Sequence, residues 1–141
     1  MGFLIALVSG ALMSVQGVFN TAVSKVTGMW VMNSFVQITA FLVCIAGWFV
    51  TGRASFGNLL KVSPKYLLLG GIIGAFITLT VVKSLAQLGP AKSVMVIVVS
   101  QITVSYLIEL FGLFGVERVG FELKKLIGVI LAIGGILLFK S

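Results

Sequence analysis

The chain contains no histidine, one cysteine and only three acidic residues among its 141 positions. Catalytic sites and metal centres are usually clusters of such groups, so we expect no enzyme, no catalytic residue and no bound metal. Cys44 has no second cysteine to pair with, and we expect it to pack as a small apolar residue. No nucleotide-binding motif is present, so the sequence predicts neither a cofactor nor an ATP-driven reaction.

Charge is scarce as well. Only 9% of the residues are charged and 60% are hydrophobic, whereas about a quarter of a soluble domain is charged. The apolar residues form five runs near the roughly 20-residue length that crosses a bilayer, without the alternation of barrel strands. The sequence predicts an all-α integral membrane protein with a single membrane domain, residues 1–141, and about five transmembrane helices. These lie at approximately residues 2–24, 29–50, 65–88, 91–111 and 121–140.

Ten lysines and arginines give the chain a net charge of +7. They lie mostly between the apolar runs or near their ends and form no contiguous basic face, which suits the headgroups of a lipid bilayer and predicts no nucleic-acid binding. The side of the amino terminus would carry Arg53, Lys61, Lys65, Arg118, Lys124 and Lys125, and the opposite side Lys25, Lys83, Lys92 and Lys140. This distribution weakly favours a cytoplasmic amino terminus. The first apolar run lacks a basic region before it, so we expect no removable signal peptide.

The weak charge bias and the odd number of spans bear on assembly. Two copies inserted in opposite orientations would recreate the inverted repeat of many transporters. One fixed orientation, with an ordinary parallel or partnered assembly, remains the alternative. Labelling both termini from each side of the membrane distinguishes the two.

Several amides and hydroxyls interrupt the apolar runs. Gln16 and Asn20 are four residues apart and share one face of the first helix, and Gln16 and Gln101 fall near the middle of the bilayer. Such groups could replace water around a polar solute, or they could merely join helices with bonds near 0.6 kcal/mol each. The candidate substrate-binding residues are Gln16, Asn20, Asn33, Gln37, Thr80, Gln101 and Ser105.

Glu109 and Lys83 are two charged residues within the apolar runs. Glu109 is the only carboxylate in the first four runs, and it could carry a coupling proton or reach headgroup water. Lys83 is expected to extend its ammonium group to the membrane surface. In an inverted dimer the two residues would lie at comparable depths, which predicts an ion pair between subunits.

Small residues mark two helix faces where another helix can approach closely. We expect these faces to serve dimer or helix packing, with ordinary packing inside one bundle as the alternative. They consist of Gly10, Ser14 and Gly17 in the first helix, and of Gly128, Ala132 and Gly135 in the last.

Several short motifs carry a family resemblance. They are Gln16-Gly17-Val18-Phe19-Asn20, Leu88-Gly89-Pro90-Ala91, Ser100-Gln101, Phe111-Gly112-Leu113-Phe114-Gly115 and the stretch from Gly128 to Leu138. With them the chain resembles the YdcZ-like family of the drug/metabolite transporter superfamily over nearly its whole length. It departs from the family pattern by Glu109, which stands slightly upstream of an expected aspartate, and by Ser100, which replaces a glycine.

The resemblance implies a location in the bacterial inner membrane and half of a ten-helix inverted-repeat fold. A second copy or a paired homologue would complete that fold, as a homodimer or heterodimer. We therefore expect a subunit of a small secondary transporter that moves a small metabolite or amphipathic compound by alternating access at the dimer interface. The alternatives are a cation exporter of the small-multidrug type, whose first helix carries a glutamate where this chain has Gln16, and an accessory or scaffold subunit without transport.

Overall fold

The structure is a computed structural model that describes residues 1–140, with only the backbone of the last of these. All regular elements in this range are helical, which confirms the predicted class. The five α-helices are α1 (Gly2–Thr27), α2 (Met29–Thr51), α3 (Gly70–Leu88), α4 (Pro90–Phe111) and α5 (Leu123–Lys140).

Glycines separate the helices at the short connections. Gly28 between α1 and α2 has a φ of 86°, and Gly89 before α4 has a φ of 81°. Residues with a Cβ rarely adopt such angles, so both positions favour glycine. Pro90 follows as the first residue of α4, a position where its missing N–H costs nothing.

The connection between α2 and α3 is longer and contains two 3₁₀ segments, Phe56–Lys61 and Lys65–Leu69. The indole nitrogen of Trp48 donates a hydrogen bond to the Ala54 carbonyl oxygen at 2.8 Å, and its ring lies 5.1 Å from that of Phe56. These contacts tie the start of the connection to the end of α2.

Four segments are long and apolar enough to cross a membrane, namely Gly2–Thr27, Met29–Thr51, Lys65–Leu88 and Pro90–Phe111. The helix α5 is not among these four segments. It has 18 residues, and three of them are the charged residues Lys124, Lys125 and Lys140. The five-span prediction is thus met for four spans, and the fifth stays a prediction.

The chain divides into two compact units, Met1–Ala86 and Gln87 onward. In the first unit, α1 packs against α2 and α3, and the buried apolar residues are Met32, Val82 and Leu85. In the second unit α4 packs against α5, and Val129 is buried. Most other large apolar side chains are exposed, as expected for helices whose solvent is hydrocarbon.

Gly17 of α1 lies against two side chains of α3. A Cβ added at Gly17 would lie 3.0 Å from Cδ2 of the buried Leu85. Because overpacking forces neighbouring side chains to shift, we expect Gly17→Leu to lower the free energy of unfolding by about 1–3 kcal/mol in a detergent denaturation series. Gly47→Leu in α2 is the matched control, since nothing lies within 4 Å of its Cβ position. Equal stability of the two variants would contradict the close α1–α3 contact.

Candidate transport clefts

A cleft of about 550 Å³, the α1–α2 cleft, opens between the first two helices. Successive turns of each helix supply its walls because residues three and four apart share a helix face. Its polar side chains are Gln16, Asn20 and Thr39, and its apolar lining includes Phe19 and Phe35. The volume falls in the range of small-molecule sites.

The two amides of this cleft have no hydrogen-bond partner among the described residues. Asn20 is only 9% exposed, whereas Gln16 is exposed. The Thr39 hydroxyl donates to the Phe35 carbonyl oxygen at 2.9 Å, so its hydrogen is already engaged. Cys44, which we expected to be packed, is an exposed free thiol on the wall of the same cleft. The donors and acceptors left over in the cleft are therefore mainly those of Gln16 and Asn20.

The other predicted polar residues of the first unit have different surroundings. Asn33 is 5% exposed, and its Nδ2 donates to the Ala75 carbonyl oxygen in α3 at 3.2 Å. It therefore joins α2 to α3. Gln37 is half-buried on α2 and does not line the α1–α2 cleft. Thr80 is exposed, and its hydroxyl donates back to the Phe76 carbonyl oxygen at 2.9 Å.

A second cleft, the α4–α5 cleft, lies in the second unit and also measures about 550 Å³. Gln101, Ser105 and Glu109 follow one another at intervals of four along one face of α4 and line it together. From α5 come Lys125 and Gly128. The structure thus brings three of the predicted site residues into one cleft. Neither Gln101 nor Ser105 has a side-chain hydrogen bond within the part of the chain that the structure describes.

Glu109 forms an ion pair across the α4–α5 cleft. Its Oε2 lies 3.3 Å from the Lys125 ammonium nitrogen, and Oε1 of Glu122 lies 3.7 Å from the same nitrogen. The Lys125 nitrogen is also 6.0 Å from the centroid of the Tyr106 ring. Lys83 is exposed and has no ion-pair partner among residues 1–139. The pairing of Lys83 with Glu109 between subunits stays a prediction.

The segment between α4 and α5 explains how Lys125 reaches Glu109. The Val119 backbone nitrogen donates to the Glu109 carbonyl oxygen at 2.9 Å, and Nε of Arg118 donates to the Leu110 carbonyl oxygen at 3.1 Å. The Tyr106 hydroxyl accepts from the Glu122 backbone nitrogen at 3.2 Å. These bonds fold the segment back onto α4 and set the start of α5 beside it. Sequence reasoning missed Lys125 and Tyr106 as site residues, although Lys125 lies near the start of the last apolar run.

The predicted packing residues fall into two groups. Gly17 is buried against Leu85, while Ser14 is half-buried and donates to the Gly10 carbonyl oxygen at 3.1 Å. Nothing lies within 4 Å of a Cβ built at Gly10, Gly128 or Gly135. Ala132 is half-buried. The described residues contain no group of three or more metal-ligating side chains.

Comparison with known proteins gives the family. The family model described as "Putative inner membrane exporter, YdcZ" matches residues 1–138. The inner membrane protein YdcZ of Escherichia coli (strain K12) is 29% identical over 85 residues, which cover 60% of this chain and 56% of that protein. The aligned part thus spans little more than half the length of that relative. No solved structure matches the chain. The match over nearly the whole chain, together with four membrane-capable helices, shows that this multi-pass inner membrane protein belongs to the YdcZ exporter family.

Proposed function

We propose that the chain is one subunit of a small secondary transporter that moves a small metabolite or amphipathic compound by alternating access. Membership of an exporter family supports a transport role. The two clefts support it further, because each is lined by at least one amide within apolar helices and each has the volume of a small-molecule site.

The observation that carries the proposal is the side chain of Asn20. It is 9% exposed, lines the α1–α2 cleft and bonds to no described residue. An unpaired polar group in hydrocarbon costs several kcal/mol, so membrane proteins keep such groups where water or a solute satisfies them. A polar solute in the cleft would supply the missing partner.

A second copy or a paired homologue completes the proposed transporter. Gly10, Gly128 and Gly135 leave open space on α1 and α5, and small residues allow two helices to come close in a membrane. Two copies in opposite orientations would supply the inverted repeat on which alternating access depends. In this arrangement the partner would cover the open part of each cleft.

In this proposal α5 is the fifth span. Its 18 residues extend for about 27 Å at 1.5 Å per residue, close to the thickness of the hydrocarbon layer. Lys124 and Lys125 lie at one end and Lys140 at the other. Lysines near helix ends can place their ammonium groups in the interface, so they are compatible with a spanning helix.

The experiment is solute release from sealed vesicles. Vesicles that contain the purified protein are loaded with a small-molecule extract of bacterial cytoplasm, and mass spectrometry identifies the solutes that leave. We expect at least one solute to leave faster than from protein-free vesicles, with a rate that saturates with its concentration. Identical release profiles from both kinds of vesicle would contradict transport and favour an accessory or scaffold subunit.

A further inference from the structure

All acidic residues of the chain lie within one short stretch. Glu109, Glu117 and Glu122 are the three acids, and none occurs in the first unit, Met1–Ala86. Two of them, Glu109 and Glu122, contact the same lysine at the α4–α5 cleft. A net charge of +7 repels cations elsewhere on the molecule. Recognition of a cation by negatively charged side chains is therefore confined to the stretch from Glu109 to Glu122.

The α4–α5 cleft already contains an ammonium group, that of Lys125. A carboxylate oxygen of Glu109 lies 3.3 Å from its nitrogen, and the Tyr106 ring centroid lies 6.0 Å away. A carboxylate beside an aromatic ring is a typical environment for a bound organic cation, because both groups present negative potential. The site is therefore built for an ammonium, and the chain's own lysine occupies it.

Lys125 can leave Glu109 without losing every acidic partner. Glu122 stands three residues before Lys125, and its Oε1 lies 3.7 Å from the Lys125 ammonium nitrogen. The Lys125 and Glu109 side chains are 37% and 43% exposed. Two carboxylates and one ammonium sum to a charge of −1. The trio of Glu109, Glu122 and Lys125 therefore has room for one further positive charge.

The rest of the cleft suits the body of an amphipathic cation. Ile102 and Val129 supply apolar walls, while Gln101 and Ser105 supply polar groups. At Gly128 nothing lies within 4 Å of a Cβ position, which leaves space beside α5. The cleft volume of about 550 Å³ accommodates a compound with an aromatic ring.

We propose that the α4–α5 cleft binds an amphipathic ammonium compound, whose cationic group displaces Lys125 from Glu109 and the Tyr106 ring. Lys125 then pairs with Glu122. Binding of the ammonium compound can occur without transport. Only the step of treating the bound compound as the transported solute rests on the proposed function. The inference also gives specific support to the cation exporter as the second candidate function.

The test uses three probes of similar shape and different charge, namely benzylammonium, benzyl alcohol and benzoate. Equilibrium dialysis of the labelled probes against the full chain in lipid nanodiscs measures binding, with empty nanodiscs as the baseline. We expect benzylammonium to bind and the neutral and anionic probes to bind at least about tenfold more weakly, because only the cation can take the place of Lys125 on Glu109.

The decisive variant is Lys125→Gln, which removes the internal competitor. If Lys125 is paired with Glu109 in most molecules, its removal should raise the affinity for benzylammonium by about fivefold, because Glu109 is then free in a larger fraction of molecules. Glu109→Gln should reduce the affinity by about tenfold or more. Lys124→Gln is the matched control, since it removes the same charge from the neighbouring position, and we expect much less change.

Circular dichroism and gel filtration establish that each variant is folded. If Glu109→Gln does not fold, the benzylammonium affinities of Lys125→Gln and Lys124→Gln still test the proposed displacement of Lys125. Weaker binding of benzylammonium to Lys125→Gln, an equal gain in Lys124→Gln, or equal binding of all three probes would overturn the inference. Release of other solutes from vesicles without benzylammonium binding overturns the inference alone, and benzylammonium binding without release of any solute overturns only the proposed transport.

Discussion

Replacing Asn33 with aspartate should lower the free energy of unfolding by about 3 kcal/mol, the cost of placing an acid within a membrane helix. Asn33 is 5% exposed, and its Nδ2 donates to the Ala75 carbonyl oxygen. Aspartate removes that donor and places a carboxylate oxygen against the carbonyl oxygen. In the unchanged protein the Oδ1 of Asn33 has no hydrogen-bond partner within the described residues, so no donor nearby would stabilise the charge of the aspartate. Denaturation in a mixed-micelle series, followed by circular dichroism, measures the change.

Two controls separate charge from the loss of the amide. Asn33→Leu loses one interhelical hydrogen bond but removes the unpaired Oδ1, and we expect a change below about 1 kcal/mol. Asn58→Asp makes the same amide-to-acid change in the exposed 3₁₀ segment between α2 and α3, and should alter stability by less than about 0.5 kcal/mol. If Asn33→Asp were as stable as Asn58→Asp, then Asn33 would not be enclosed between α2 and α3.

The double variant Gln16→Leu and Asn20→Leu should reduce the rate of solute release by about a hundredfold, provided that the solute bonds to both amides. The loss of one hydrogen bond of about 1.4 kcal/mol corresponds to about a tenfold change in rate. Both amides line the α1–α2 cleft and are unpaired within the described part of the chain. Leucine has a similar size but cannot donate or accept, so the cleft would keep its shape and lose its polarity. The vesicle release assay measures the effect.

A second double variant, Asn58→Leu with Gln87→Leu, serves as the control for this pair. It removes one amide from each unit, and neither amide lines a described cleft. The rate of solute release should stay within about twofold of that of the unchanged protein. Equal loss of release in both double variants would mean that the amides act on folding. Full release from the Gln16 and Asn20 variant would exclude the α1–α2 cleft as the solute path.

The helical class was predictable because it depends on the solvent and on composition alone. Apolar runs near 20 residues long have few alternatives in a bilayer. The status of the last run was harder to assign, since its three lysines lie at the ends of α5. Whether such residues interrupt a span depends on how far their ammonium groups reach toward water, which composition does not encode.

The candidate site was predictable in part. Spacing along a single helix shows which residues share a face, as it did for Gln16 and Asn20, which line one cleft. Glu109 was predicted separately from Gln101 and Ser105, although the three stand at intervals of four and line one cleft. Contacts between helices are different, because the partner lies far away in the chain. Asn33 bonds to a carbonyl 42 positions later, and Glu109 meets Lys125 only because the intervening segment folds back onto α4. The periodicity of the sequence along one helix does not show which distant residue Asn33 or Glu109 contacts.

Cysteine accessibility tests the central claim most directly, namely that amides within the membrane helices face clefts that water and solutes enter. In a Cys44→Ala background, single cysteines replace Gln16 or Gln101, and a membrane-impermeant cationic thiol reagent is added to intact vesicles. Leu42→Cys and Val104→Cys are the controls, since these apolar side chains are 59% and 51% exposed but line neither cleft. Thiol reagents need an ionised thiol, which forms in water and not in hydrocarbon. The account predicts rapid labelling at 16 and 101 and little at 42 and 104, and protection of 16 and 101 with labelling of the two controls would contradict it.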